Sequence, residues 1–134
     1  MTSELVPYLC VADARTAIDW YVDVLGADVV YDPIVMPDAR VGHVELAIDG
    51  ARWMMADPFP EMGVEPPSPD RGTAVSLHVT VPDVDGLCAA VTAAGTTLDR
   101  GPEDSPPVGR VAVFRDPFGH RWFLNQPVPG VTQA

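Results

Sequence analysis

Cysteine is scarce in this chain and forms no motif. Cys10 and Cys88 stand 78 positions apart with no CxxC and no Cys/His pairing around them. That excludes a disulfide framework or a zinc knuckle and fits two small apolar side chains in a reducing compartment. Long apolar runs are missing too: no stretch reaches the ~18 residues of a membrane-spanning helix, and no basic segment leads into an apolar one as in a secretory signal. Positive charge is also short. Eight basic residues against nineteen acidic ones give a formal charge of −11 and a pI near 4.3, which repels a phosphate backbone and an anionic lipid surface alike. The expectation is a cytoplasmic protein with neither nucleic acid nor membrane among its partners.

What is present suits a compact domain. The 134 residues are 47% hydrophobic, enough for a core without staples, and a single domain over 1–134 is expected. Fifteen prolines and eleven glycines fall mostly between apolar runs, the pattern of many short strands joined by turns.

The stretch Asp116-Pro117-Phe118-Gly119-His120-Arg121-Trp122 is tight-turn chemistry, because Pro fixes φ while Gly supplies a conformation that a Cβ would forbid. It is predicted to join a strand at Val111–Phe114 to another at His120–Asn125. An earlier stretch, Asp49-Gly50-Ala51-Arg52-Trp53, carries the same Gly-x-Arg-Trp between the apolar runs Val41–Ile48 and Ala51–Ala56. Upstream, Leu5–Val11 alternates like a strand, Asp13 can cap a helix, and Ala14–Leu25 has apolar residues at helical spacing closed by Gly26. Ala27–Tyr31 reads as a short strand and Val35–Ala39 as a polar connection. The Asp57–Gly72 stretch holds five prolines without strand or helix period. It reads as a linker, either a rim over a site or a plain connector, whose Phe59, Met62 and Val64 need something to pack on.

From Ala74 the pattern starts again. Val75–Val81 is a predicted strand, Val84–Ala94 a helix closed by Gly95, Thr96–Leu98 a strand and Gly101–Pro107 a Pro-containing loop. Val11-Ala12-Asp13 superposes on Val81-Pro82-Asp83 at an offset of 70, and Gly50-Ala51-Arg52-Trp53 on Gly119-His120-Arg121-Trp122 at 69. The chain is therefore a tandem repeat of βαβββ modules: one over about 4–57, a linker over about 58–72, and a second over about 73–127.

This pair of modules, with its "AIDWYVDVLGA" helix and "DPFGHRW" hairpin, resembles the vicinal oxygen chelate superfamily, in particular its small glyoxalase/bleomycin-resistance-type members. The resemblance implies an α+β fold whose modules curl a mixed sheet into a half-barrel cleft, usually completed in a homodimer. Enzymes of that family hold a divalent metal with His, Glu or Gln from four positions, which fall here on Val6, Met54, Ser76 and Phe123. Two of these have no donor, and a thioether and a lone hydroxyl are poor ligands for a hard ion. No metal and no cofactor are expected.

Side chains alternate across a strand, so the same register sorts the neighbours. With Val6 in the cleft, Tyr8 follows; Ser76 brings His78, Phe123 brings Arg121 and Asn125, and Met54 brings Arg52. Val44, Leu46 and Ile48 should face the helix, leaving His43 and Glu45 for the cleft. Trp53 and Trp122 read as core under the helices.

The reading that follows is metal-independent binding of a small organic molecule, as in drug or metabolite sequestration, oriented by Tyr8, His43, Glu45, Arg52, Ser76, His78, Arg121 and Asn125. The acidic field would draw a cationic ligand. Two alternatives stand beside it. One is a lyase, isomerase or dioxygenase-type enzyme using His43, Glu45 and His78 as displaced ligands or as acid and base. The other is a regulatory or interaction module with a vestigial cleft.

Overall fold

A computed structural model describes residues 1–129; positions 130–134 of the expected domain lie outside the described residues. The chain divides between Pro67 and Ser68 into two compact units.

Unit one runs β1 (Tyr8–Cys10), α1 (Ala14–Leu25), β2 (Asp28–Val35), β3 (Val41–Ile48) and β4 (Ala51–Ala56). Its sheet has the order β1-β4-β3-β2, with β1 parallel to β4 and the other pairs antiparallel. The helix starts where Asp13 accepts a bond from the Thr16 N–H at 3.2 Å and stops at Gly26, whose φ of 69° is the left-handed cap expected there. It buries Ala14, Ala17, Tyr21 and Leu25, and the Tyr21 ring meets Trp53 of β4 edge-on at 5.4 Å. Val44, Leu46 and Ile48 are buried as the alternation requires.

Unit two repeats this with β5 (Ser76–Thr80), α2 (Val84–Ala93), β6 (Leu98–Ser105), β7 (Gly109–Arg115) and β8 (Arg121–Pro127), in the order β5-β8-β7-β6. Trp122 is buried, as is Trp53. Each unit is thus a βαβββ module with a mixed four-stranded sheet.

The two hairpins bring equivalent strands together through different turns. In the first, Asp49 and Gly50 both have positive φ, 48° and 86°, the two-residue turn whose twist matches the flanking strands. In the second, the buried Asp116 carboxylate accepts the N–H groups of Phe118 at 2.9 Å and His120 at 3.0 Å, and the Trp122 Nε1–H at 2.9 Å. Leu46 pairs with Trp53 as Phe114 pairs with Trp122, so the strands before the hairpins correspond at 68 positions and those after at 69. The second turn therefore regains one of two residues lost upstream.

Three elements differ from the sequence expectation. The Gly101–Pro107 segment is mostly strand rather than loop, because β6 is an edge strand with a register irregularity between Arg100 and Glu103. There the missing Pro102 N–H breaks no ladder bond. A Cβ at Gly101 would lie 2.3 Å from the Val111 carbonyl, so the close approach of β7 requires glycine. Second, β2 extends through Val35, past the Tyr31 end expected, across two register shifts. Third, β1 begins only at Tyr8; Pro7 before it has no N–H, though its carbonyl accepts the Met54 N–H at 2.8 Å.

Candidate functional site

The register of unit one sets Tyr8 of β1 and Glu45 of β3 on either side of Met54 in β4. His43 lies two residues before Glu45 on the same face and Arg52 two before Met54. Four of these five predicted residues form a hydrogen-bonded chain. The Tyr8 hydroxyl lies 2.7 Å from His43 Nδ1, and His43 Nε2 lies 2.9 Å from Glu45 Oε2. The second Glu45 oxygen accepts from Arg52, which also pairs with Glu4.

Electrostatics fixes the direction of this chain. The bond from His43, then desolvation opposing it and the bond from Arg52, leave the Glu45 carboxyl below the usual carboxylate range. A carboxylate only accepts, so His43 Nε2 carries the proton directed at Glu45, and Nδ1 is the nitrogen that faces Tyr8. Burial, followed by the Glu45 charge, pushes the Tyr8 phenol up, so it keeps its proton. That proton has two acceptors within reach, His43 Nδ1 and the Gly42 carbonyl at 3.0 Å.

Tyr8 and His43 form the polar edge of a concavity of about 560 Å³, inside the range of small-molecule pockets. Its wall is apolar: Ile34, Met36, Phe59, Met62 and Val64. The three linker residues expected to need a packing partner line it together. Pro60–Met62 is a short 3-10 helix, ended at Gly63 with φ 76°, and Phe59 and Val64 bond each other across it. Arg40 fastens this segment from the side, with its guanidinium 3.9 Å above the Phe59 ring and bonds to Glu61, Asp38 and the Pro58 carbonyl.

Ile34 and Met36 had no signal in the sequence beyond being apolar, since the strand was expected to end before them. Phe59 and Val64 did have one, as apolar residues in a Pro-rich stretch with no period of their own.

In unit two the register pairs Ser76 with Arg121, His78 with Phe123 and Thr80 with Asn125, which sets the five predicted residues Ser76, His78, Arg121, Phe123 and Asn125 on one face. Arg121 Nη1 donates to Ser76 Oγ at 2.7 Å. The His78 ring is stacked on Phe123, centroids 5.3 Å apart and planes 20° apart. Asn125 is fully buried.

The four positions where a family metal would be held do not fit one. Met54 offers a thioether, Val6 and Phe123 offer nothing, and the single oxygen, Ser76 Oγ, already has a guanidinium against it. The alternative ligands fare no better: His43 and Glu45 are spent on each other, on Tyr8 and on Arg52. Among the described residues no group of three or more His, Cys, Asp or Glu side chains is arranged to hold a metal ion. Cys10 and Cys88 are both buried and unbridged, and burial raises the Cys10 thiol to about 11. No described helix is long and apolar enough to cross a membrane.

Comparison with known proteins gives a consistent set of matches. Residues 4–124 match the Glyoxalase/Bleomycin resistance protein/Dioxygenase superfamily. An uncharacterized protein of Mycobacterium bovis is 40% identical over 127 residues, which are 92% of this chain and 83% of that one. Among solved structures, TnmS3, an antibiotic binding protein from Streptomyces sp. CB03234, is 30% identical with a TM-score of 0.64, covering 96% of this chain and 99% of that one. A glyoxalase/bleomycin resistance protein from the same strain is also 30% identical, with a TM-score of 0.68 and coverage of 92% and 100%.

Proposed function

Because the chain belongs to the Glyoxalase/Bleomycin resistance protein/Dioxygenase superfamily, we propose that it binds a small organic molecule without a metal ion. The role is sequestration of a drug or metabolite, and the concavity of unit one is the site. The observation that carries this reading is the pairing of a 560 Å³ apolar concavity with one oriented polar edge, Tyr8 on His43. Apolar walls supply affinity through area removed from water, while a single fixed hydroxyl sets orientation. The antibiotic-binding role of TnmS3 supports an antibiotic-like ligand. Twelve of the nineteen acidic residues but only three of the eight basic ones precede Ser68, which favours a cationic one.

A cytoplasmic homodimer of single-domain chains, each domain made of two modules, completes the proposal. Edge strand β2 supports the dimer, with Val30, Tyr31, Ile34 and Val35 all exposed. By contrast the equivalent edge β6 is guarded by Arg100, Pro102, Glu103 and Asp104, the usual defence against pairing. The two buried, unbridged cysteines suit a reducing compartment.

A thermal-shift screen of aromatic and cationic antibiotics, run in EDTA and again with added manganese or zinc, tests the proposal. A ligand that binds the native state raises the midpoint by mass action. The proposal expects a rise in EDTA that added metal does not enlarge; a rise seen only with metal contradicts it.

The Tyr8–His43–Glu45 chain favours a second reading, acid–base chemistry on a bound ligand, with Tyr8 taking the ligand's proton as its own passes to His43 Nδ1. Turnover of a ligand found in the screen, abolished in Tyr8→Phe, separates catalysis from sequestration.

A further inference from the structure

Arg52 and Arg121 are the same residue of the repeat, one position before each buried tryptophan, yet they meet different surroundings. Arg52 lies against two carboxylates, Glu45 and Glu4. Arg121 donates one bond, to the Ser76 hydroxyl, and among the described residues it has no carboxylate partner. Its cross-strand neighbour is another cation, Arg115, whose guanidinium, among the described residues, bonds the carbonyl oxygens of Gly119, Ser68 and Arg71 and no carboxylate. Two arginines set opposite each other repel, so the fold keeps positive potential here instead of cancelling it.

The rest of this face is suited to a ring and to polar groups. His78 and Phe123 form a stack one alternation further along the strands, about 6.6 Å away by strand rise. At the inner end Asn125 has neither its amide nitrogen nor its oxygen hydrogen-bonded, although it is fully buried. A buried amide left unmatched is destabilising, and natural folds seldom keep one without use. In unit one the equivalent arginine is matched by two carboxylates and the position equivalent to Asn125 is Ala56; in unit two the arginine meets only a neutral hydroxyl among the described residues and the amide is unmatched.

We propose that this face of unit two is a binding site for an aromatic carboxylate. The planar Arg121 fork, oriented by Ser76, takes the carboxylate through paired N–H bonds. The His78–Phe123 stack takes the attached ring. The site shares no residue with the concavity of unit one and stands or falls independently of it.

Benzoate is the probe, titrated into the full chain and followed by calorimetry and by the ring C–H signals of His78. Saturable binding with movement of the His78 signals is expected, and benzamide, which keeps the ring and loses the charge, should bind at least about tenfold more weakly. Arg121→Gln should lower benzoate affinity about tenfold or more, whereas Arg100→Gln removes the same charge from an exposed residue paired with Glu103 and should leave it unchanged. Arg121→Lys, which keeps the charge and removes the fork, should fall between wild type and Arg121→Gln, and serves if the glutamine variant folds poorly. Equal affinity for benzoate and benzamide, or wild-type benzoate affinity in both Arg121 variants, would overturn the proposal.

Discussion

The Tyr8 hydroxyl stands 2.7 Å from His43 Nδ1 at the edge of an apolar concavity. The opposite nitrogen of the same imidazole is held 2.9 Å from Glu45. A ring fixed from both sides cannot turn, so the phenol oxygen is fixed as well, with a lone pair left for a ligand donor. In the proposed function Tyr8 presents one oriented polar point to a molecule held mainly by apolar contact.

Tyr8→Phe removes that point and little else. Tyr8 is 51% exposed, so stability should change by less than about 1 kcal/mol, while affinity for a ligand found in the screen should fall about tenfold. Calorimetric titration and a denaturant melt of the same variant check both halves.

Acid should act through Glu45. Its carboxyl is depressed, chiefly by the bond from His43. A depressed carboxylate contributes stability fully present above its unfolded-state pKa and lost as pH falls through the folded value. The melting midpoint should therefore begin to drop near pH ~4.3 and continue below it. Glu45→Gln should show a shallower drop over that window in melts taken from pH 6 to about 2.5.

Asp116→Ala should be among the most damaging single changes. Its carboxylate is buried and serves three donors, those of Phe118, His120 and Trp122. Leaving them unmatched costs about 3 kcal/mol or more, measurable as a lowered midpoint in urea. Asp49→Ala, at the exposed turn of the first hairpin, should cost about 1 kcal/mol, mostly from the positive φ that alanine resists.

Asp57 and Gln126 offer a matched pair. Asp57 accepts the N–H groups of Ala14 at 2.7 Å and Val41 at 2.6 Å, tying the first turn of α1 to the start of β3. Gln126, at the equivalent place, accepts one such bond among the described residues, from the Val84 N–H at 3.0 Å. Asp57→Ala should cost about 2–3 kcal/mol and Gln126→Ala about 1 kcal/mol in the same denaturant melts.

Much of this architecture was legible from local rules. The Asp caps and the glycine stop located α1, and the alternation of Val41–Ile48 told His43 and Glu45 from Val44 and Leu46. The edge strand β6 was not legible, because Gly101 and Pro102 read as loop chemistry and only tertiary position shows that no ladder bond is lost. Nor could alternation reveal that Tyr8 reaches His43. It assigns a face, whereas the contact depends on which strand lies beside which and on β2 running far enough to bring Ile34 to the concavity. The unlike fates of Arg52 and Arg121 were hidden for a similar reason: Glu4 precedes every regular element, and the position equivalent to Glu45 in the second module, 68 residues on, is Val113, which offers no carboxylate.

The central claim, a ligand held in the concavity of unit one without metal, is tested most directly by the methionine methyl signals. Met36 and Met62 line the concavity, while Met55 is fully buried away from it and serves as the internal reference. Protein labelled at the methionine methyls is titrated in EDTA with an antibiotic found by thermal shift. Saturable movement of the Met36 and Met62 signals with Met55 unmoved is the predicted result. Movement that appears only after a divalent ion is added, or saturable binding that leaves Met36 and Met62 where they were, would contradict the account.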